Sequence, residues 1–187
     1  IMLMLAGYRN LLQINRQLLE GHFPRTEYFG RSFMIKGKTV GVLGLGHIGK
    51  KVAALVTAFG ANVIYYDILR QPDQEEKYGY RFVDFDTLLE QSDIFTVHCP
   101  LNEETRGMIG FEQFKKMKPS AMLINTARGP IVDEAAMIDA LTTGKIATAG
   151  LDTYEHEPLP KDHPLLKLDN VVASAHAGGN TKDNDIN

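Results

Sequence analysis

Val40-Gly41-Val42-Leu43 runs directly into Gly44-Leu45-Gly46-His47-Ile48-Gly49, and this junction limits the fold more than any other stretch. The apolar run reads as a buried strand, and Lys50 to Phe59 after it reads as a helix. Three glycines at this spacing between a strand and a helix make the turn that a dinucleotide site requires. Gly44 allows the tight turn, Gly46 lets the backbone approach a pyrophosphate, and Gly49 lets the helix pack close to the strand. The helix N-terminus offers free N–H groups and a partial positive charge to phosphates. A second strand, Asn62 to Tyr66, ends at Asp67, about twenty residues further on, where a ribose-binding acid is expected. A carboxylate there accepts hydrogen bonds from ribose hydroxyls and repels a 2′-phosphate, which favours NAD over NADP. Arg70, three residues later, can soften that preference.

The length of 187 residues suits one domain, at most one and a half, with a proper core. A formal net charge of −3 argues against non-specific nucleic-acid binding, which wants a basic face. Cys99 is the single cysteine, so neither an internal disulfide nor a cysteine metal cluster can form. That fits a reducing compartment, and a cytoplasmic location is expected. No apolar run approaches a membrane span. Ile1-Met2-Leu3-Met4-Leu5-Ala6 is too short for a signal peptide and lacks a basic start. The chain begins at Ile1 and not at Met, so it is expected to be a piece of something larger.

Residues 1–20 read as one helix with a leucine-rich stripe and Gly21 as its stop. Residues 21–37 hold Pro24, Gly30 and Gly37 and show no period, so they read as a connecting loop. From residue 38 onward, strands alternate with helices. Strands are expected at 39–43, 62–66, 80–83, 93–97, 121–125, 147–151 and 170–173. Helices are expected at 47–59, 73–78, 84–91, 111–116 and 133–142. Continuous apolar strands such as Ile94-Phe95-Thr96-Val97 indicate a sheet covered on both faces. The expected fold is α/β: a doubly wound, mostly parallel, Rossmann-like sheet over residues 38–187, with its ligand site at the carboxyl ends of the strands.

Polar residues follow those strand ends: Asp67, then His98, Cys99 and Pro100, then Asn125 to Arg128, then Asp152, then His176. Arg128 after a buried strand calls for an anion, and its guanidinium matches a carboxylate with two parallel hydrogen bonds. Asp133 is the local alternative partner. His176, among small neighbours in Ala175-His176-Ala177-Gly178-Gly179, suits proton exchange near neutral pH. A carboxylate on its far ring nitrogen would fix the tautomer, and Glu157 is a candidate. Glu155, His156 and His163 are rivals in the same region, and local reasoning leaves that choice open. No metal-ligand spacing occurs, and Cys99, without an activating neighbour, reads as a structural thiol. No tyrosine precedes a lysine by four residues, which removes the Tyr/Lys pair of short-chain dehydrogenases.

Taken together, these segments resemble the D-isomer-specific 2-hydroxyacid dehydrogenases. The resemblance rests on the glycine turn, Val97-His98-Cys99-Pro100-Leu101 with Thr105, and Leu123-Ile124-Asn125-Thr126-Ala127-Arg128-Gly129. It continues through Gly150-Leu151-Asp152-Thr153-Tyr154-Glu155-His156-Glu157-Pro158 and His176-Ala177-Gly178-Gly179. It implies that Arg128 binds and polarises the substrate, that His176 is the general acid/base, and that Glu157 is its partner. It places His47 and Ile48 on the pyrophosphate of NAD and Asp67 on the adenosine ribose. Cys99, Pro100 and Thr105 would line the adenosine side. Thr126 and Ala127 would meet the nicotinamide end, Asp152 its carboxamide, and Gly178 and Gly179 would lie close to the cofactor. The family usually has proline where this chain has Ala175.

The family also carries a separate substrate domain, which is absent from this chain, and residues 1–20 resemble the interdomain connection. The expected activity is hydride transfer between NAD(H) and a 2-hydroxy or 2-oxo acid, in a homodimer, with no nucleic-acid or membrane partner. An NAD-responsive co-repressor is the alternative. The substrate's identity lies outside this sequence.

Overall fold

Each apolar run expected to be extended becomes a strand of one sheet. The structure is a computed structural model that describes residues 1–182; residues 183–187, the end of the expected dinucleotide domain, lie outside the described residues. The strands are β1 (Thr39–Leu43), β2 (Asn62–Tyr66), β3 (Arg81–Phe82), β4 (Ile94–Val97), β5 (Met122–Asn125), β6 (Thr148–Leu151) and β7 (Val171–Ala173). Their order is β3-β2-β1-β4-β5-β6-β7, and every pairing is parallel. β4 and β5 are buried along their whole length, as strands covered on both faces must be. From β1 the chain builds outward to β2 and β3, then returns to lay β4 on the other side. That reversal opens a crevice at the carboxyl ends of β1 and β4.

The register brings the strand ends into one row. Leu43 pairs with Tyr66 and Val97, Val97 with Asn125, Asn125 with Leu151, and Leu151 with Ala173. The residues that follow therefore emerge along one rim.

The helices between strands are α3 (His47–Ala58), α4 (Pro72–Tyr78), α5 (Phe85–Gln91), α6 (Phe111–Lys116) and α7 (Glu134–Thr142). Local chemistry sets their ends. Asp84 and Asp133 cap α5 and α7 by accepting from Thr87 N and Ala136 N. Pro72 opens α4, and Gly79 closes it in the left-handed region. One apolar core joins α5, α6 and α7 to the sheet, and a second holds α3 on the other face.

Residues 1–20 depart from the single helix expected. They form α1 (Met2–Tyr8) and α2 (Leu11–Leu19), broken at Asn10, which sits at φ 51°. Asparagine tolerates this conformation better than most residues. Its side-chain amide is fixed there by Arg31 O at 3.1 Å and Ser32 Oγ at 3.2 Å. The leucine stripe divides accordingly. Leu3, Met4, Ala6 and Tyr8 of α1 are buried in the second core against β5, β6 and β7. Each large apolar side chain buried this way contributes up to about 1.5–3 kcal/mol. Gly150 permits the approach, since a Cβ there would lie 2.9 Å from Leu3 Cβ. On α2, by contrast, Leu11, Leu12, Leu18 and Leu19 are exposed. Residues 21–37 form turns and irregular backbone between α2 and β1.

Candidate active site

The three glycines of the turn have separate reasons to be glycine. Gly44 has φ 91°, and a Cβ there would meet Cys99 N at 2.8 Å. A Cβ on Gly49 would meet Gly44 O at 2.1 Å, so close helix–strand packing requires its absence. Gly46 has φ −74° and nothing within 4 Å of a built Cβ. The fold alone therefore does not need glycine at Gly46. The open space lies at the start of α3, where no side chain caps the backbone and His47 and Ile48 are exposed. An uncapped twelve-residue helix with free room at its N-terminus fits a diphosphate.

Beside it lies a hollow of about 170 Å³, lined by Gly44, Gly46, Asp67, Cys99, Pro100 and Thr105 among others. Asp67 is oriented there by Leu45 N on Oδ2 at 2.6 Å and Leu69 N on Oδ1 at 3.1 Å. Each oxygen keeps acceptor capacity for a ribose hydroxyl. Thr105 Oγ1 donates to Pro100 O at 2.7 Å and stiffens the wall. Burial pushes the Cys99 thiol up to about 11, which suits a structural role. Burial also lowers the His98 imidazole to about 4, and its Nε2 lies 2.9 Å from Thr96 Oγ1. His98 is thus a neutral wall of the rim. These residues fit the adenosine diphosphate part of a dinucleotide.

Further along the rim, Asn125 clips the turn after β5. Its amide accepts from Ala127 N at 3.1 Å and donates to Arg128 O at 3.0 Å. Thr126 and Arg128 are exposed on this turn and Ala127 is half-buried. Arg128 Nη1 donates to Ala127 O at 2.7 Å. Among the described residues the guanidinium forms no ion pair with Asp133, which caps α7 instead. The rival histidine His163 is drawn away to Glu134, at 3.0 Å.

Glu157 and His176 meet. Glu157 Oε2 lies 2.7 Å from His176 Nδ1, and Oε1 accepts from Tyr154 N at 2.9 Å. The bond to His176, then that from Tyr154, hold the Glu157 carboxyl below its ordinary range. His176 itself takes φ 50°, a conformation uncommon outside glycine. Asp152, 4% exposed, fastens the turn that carries it. Its Oδ1 accepts from Ser174 Oγ at 2.6 Å and Ala177 N at 3.0 Å, and its Oδ2 from Gly178 N at 2.9 Å. A Cβ on Gly178 would lie 2.8 Å from Asp152 Oδ2, so a larger residue here would push on the carboxylate that holds the turn. Gly179 continues this turn, accepting from Thr181 N at 3.0 Å.

Tyr154 and Ser174 were missed by sequence reasoning, although Tyr154 sits inside one of its motifs and Ser174 immediately precedes another. Tyr154 Oη donates to Ser174 O at 2.6 Å, while its N–H holds Glu157. A Cβ on Gly129 would fall 1.9 Å from the Tyr154 carbonyl. Tyr154 therefore joins the Arg128 turn, the Glu157 loop and the His176 turn.

Burial alone would raise the Asp152 carboxyl, but its donors and the nearby His176 bring it below the ordinary range. A depressed folded value gives stability that is complete above about pH 3.9 and fades as pH falls through the folded value. Asp152→Asn turns an amide donor toward Gly178 N, and we expect about 1–3 kcal/mol of destabilisation at pH 7. Denaturant unfolding at pH 7 and at pH 3 checks this, with the difference between the two proteins shrinking at the lower pH. An unchanged midpoint at pH 7 would contradict it.

Among the described residues no group of three or more His, Cys, Asp or Glu side chains is placed to hold a metal. No described helix is long and apolar enough to cross a membrane.

Residues 1–178 match the family model described as D-isomer specific 2-hydroxyacid dehydrogenase, NAD binding domain. The chain is 46% identical to a D-3-phosphoglycerate dehydrogenase of Archaeoglobus fulgidus, over 100% of this chain and 35% of that protein. It is 43% identical to a glyoxylate reductase of Korarchaeum cryptofilum, over 94% of this chain and 53% of that protein. A crystal structure of D-lactate dehydrogenase with NAD⁺ from Lactobacillus jensenii superposes with a TM-score of 0.87 at 37% identity, covering 98% of this chain and 58% of the other. The chain thus spans a third to three fifths of the length of these relatives.

Proposed function

The chain belongs to the D-isomer specific 2-hydroxyacid dehydrogenases, as their NAD-binding domain, and on that premise we propose that it is the cofactor half of an enzyme interconverting a D-2-hydroxy acid and a 2-oxo acid. The observation that carries this reading is the Glu157–His176 pair at 2.7 Å, on the same rim as the glycine turn. When bound, the nicotinamide supplies or takes up the hydride at C2 of the substrate. Arg128 binds the substrate carboxylate and stabilises negative charge on the 2-oxo oxygen. His176, held through Nδ1 by Glu157, gives a proton from Nε2 to that oxygen during reduction and removes it during oxidation. Asp152, through Ser174, Ala177 and Gly178, keeps the ring in place. Thr126, Ala127, Gly178 and Gly179 border the nicotinamide end. Gly44, Gly46, His47, Ile48 and Gly49 hold the diphosphate, and Asp67, Cys99, Pro100 and Thr105 enclose the adenosine.

A second domain would supply the substrate's side-chain pocket and close the cleft, with residues 1–20 as the connection to it. The exposed leucines of α2, Leu11, Leu12, Leu18 and Leu19, suit a homodimer contact. A single half-buried cysteine suits a cytoplasmic enzyme. No specific observation favours the co-repressor reading, since a binding module has no need of a fixed imidazole–carboxylate pair.

The 187-residue chain by itself should bind NAD and show little or no turnover, because water stays at the open reacting centre. Calorimetric titration with NAD, followed by assay with pyruvate, glyoxylate and 2-oxoisocaproate, tests this. Robust reduction of any of the three by the chain alone would refute it.

A further inference from the structure

Asp67 is not the only charged residue on the turn facing the ribose. Arg70 follows three residues later, exposed before α4. A guanidinium at this place is the group that would receive a 2′-phosphate. Two of its five donors, on the edge that would pair with a carboxylate or phosphate, are engaged by Glu75. Nε reaches Glu75 Oε1 at 2.9 Å and Nη2 reaches Glu75 Oε2 at 2.8 Å. The guanidinium carbon also lies 5.8 Å from the Phe82 ring centroid. Glu75 is fixed in turn: Tyr65 Oη donates to its Oε1 at 2.7 Å and accepts from Gln71 N at 2.7 Å. Tyr65 is fully buried in β2. The chain of contacts thus runs from the sheet core to Arg70, unlike a loose surface ion pair. Arg70, then Tyr65, keep the Glu75 carboxyl down at about 2, so the clamp is charged at any working pH.

We infer that Glu75 is a positioning residue for cofactor specificity, holding Arg70 away from the 2′ position of the adenosine ribose. A 2′-phosphate then meets the Asp67 carboxylate without the Arg70 guanidinium to offset it. This rests on the cofactor reading above.

Calorimetric titration of the 187-residue chain with NAD and NADP separates the two ideas. Asp67→Ser removes the repulsion and makes NADP measurable. Adding Glu75→Gln should tighten NADP about tenfold, the size of one charge-assisted hydrogen bond, and leave NAD nearly unchanged. Arg70→Ala on top should abolish that gain. Glu76→Gln removes the same charge from the exposed neighbour and should give little. Gln at this place still accepts from Tyr65, so the fold is retained. Should the Glu75 variant unfold, Arg70→Ala in the Asp67→Ser background decides instead. A clamped Arg70 leaves NADP affinity unmoved there, and a fall overturns the clamp. Equal gains for NAD and NADP, a gain that survives Arg70→Ala, or an equal gain from Glu76→Gln each overturn it too. Failure of the unaltered chain to bind NAD would overturn the cofactor reading and the clamp with it.

Discussion

Replacing His176 by Gln in a full-length form should lower 2-oxo acid turnover by about 10²–10⁴-fold, the usual worth of positioned proton transfer, while NAD affinity stays nearly unchanged. The glutamine amide can occupy the ring's place but does not exchange a proton near neutral pH. The prediction is specific because of the partner. Glu157 Oε2 fixes Nδ1 at 2.7 Å and leaves Nε2 as the nitrogen free to serve the substrate. Glu157 is itself aimed by Tyr154 N, and the His176 turn is fastened by Asp152. Steady-state kinetics with the best 2-oxo acid reads the loss. A variant that retained most of its kcat would remove the proton role from His176.

Gly129→Ala should be nearly as damaging, although Gly129 touches no substrate. A Cβ there falls 1.9 Å from the Tyr154 carbonyl carbon and oxygen and 2.5 Å from Glu155 N. Both sides of that contact are backbone, so relief must come from moving a loop. Overpacking of this kind destabilises by about 1–3 kcal/mol, and rigid neighbours push it toward the upper end. Relief by movement would part the Arg128 turn from the Glu157 loop, and misplacement of about 1 Å can cost about 10²-fold in rate. Denaturant unfolding measures the first effect, and kcat/KM of the folded fraction measures the second. Unchanged values of both would mean that the two turns do not depend on their contact.

The parts of this molecule set by local pattern were legible before any coordinates. β1, the glycine turn and α3 follow from a buried apolar run, a required positive φ at Gly44 and a close contact at Gly49. The row of strand ends follows from parallel pairing in register, which put Asp67, Arg128, Asp152 and His176 on one rim. What was hidden depends on distant partners. The break at Asn10 is fixed by Arg31 and Ser32, some twenty residues away, so the leucine stripe alone read as one helix. Nothing local distinguishes Glu157 from Glu155. The choice is made by the Tyr154 N–H and by where β7 delivers His176. Asp152 shows the same limit: its place at the end of β6 was readable, but its service to Ser174, Ala177 and Gly178 was not.

The most direct test is to follow NADH absorbance while the full-length protein is offered a panel of 2-oxo acids. At least one should be reduced, with the D-2-hydroxy acid as product. Tight NADH binding with no oxidation by any of them would contradict the assignment and leave a dinucleotide-binding module that performs no redox chemistry.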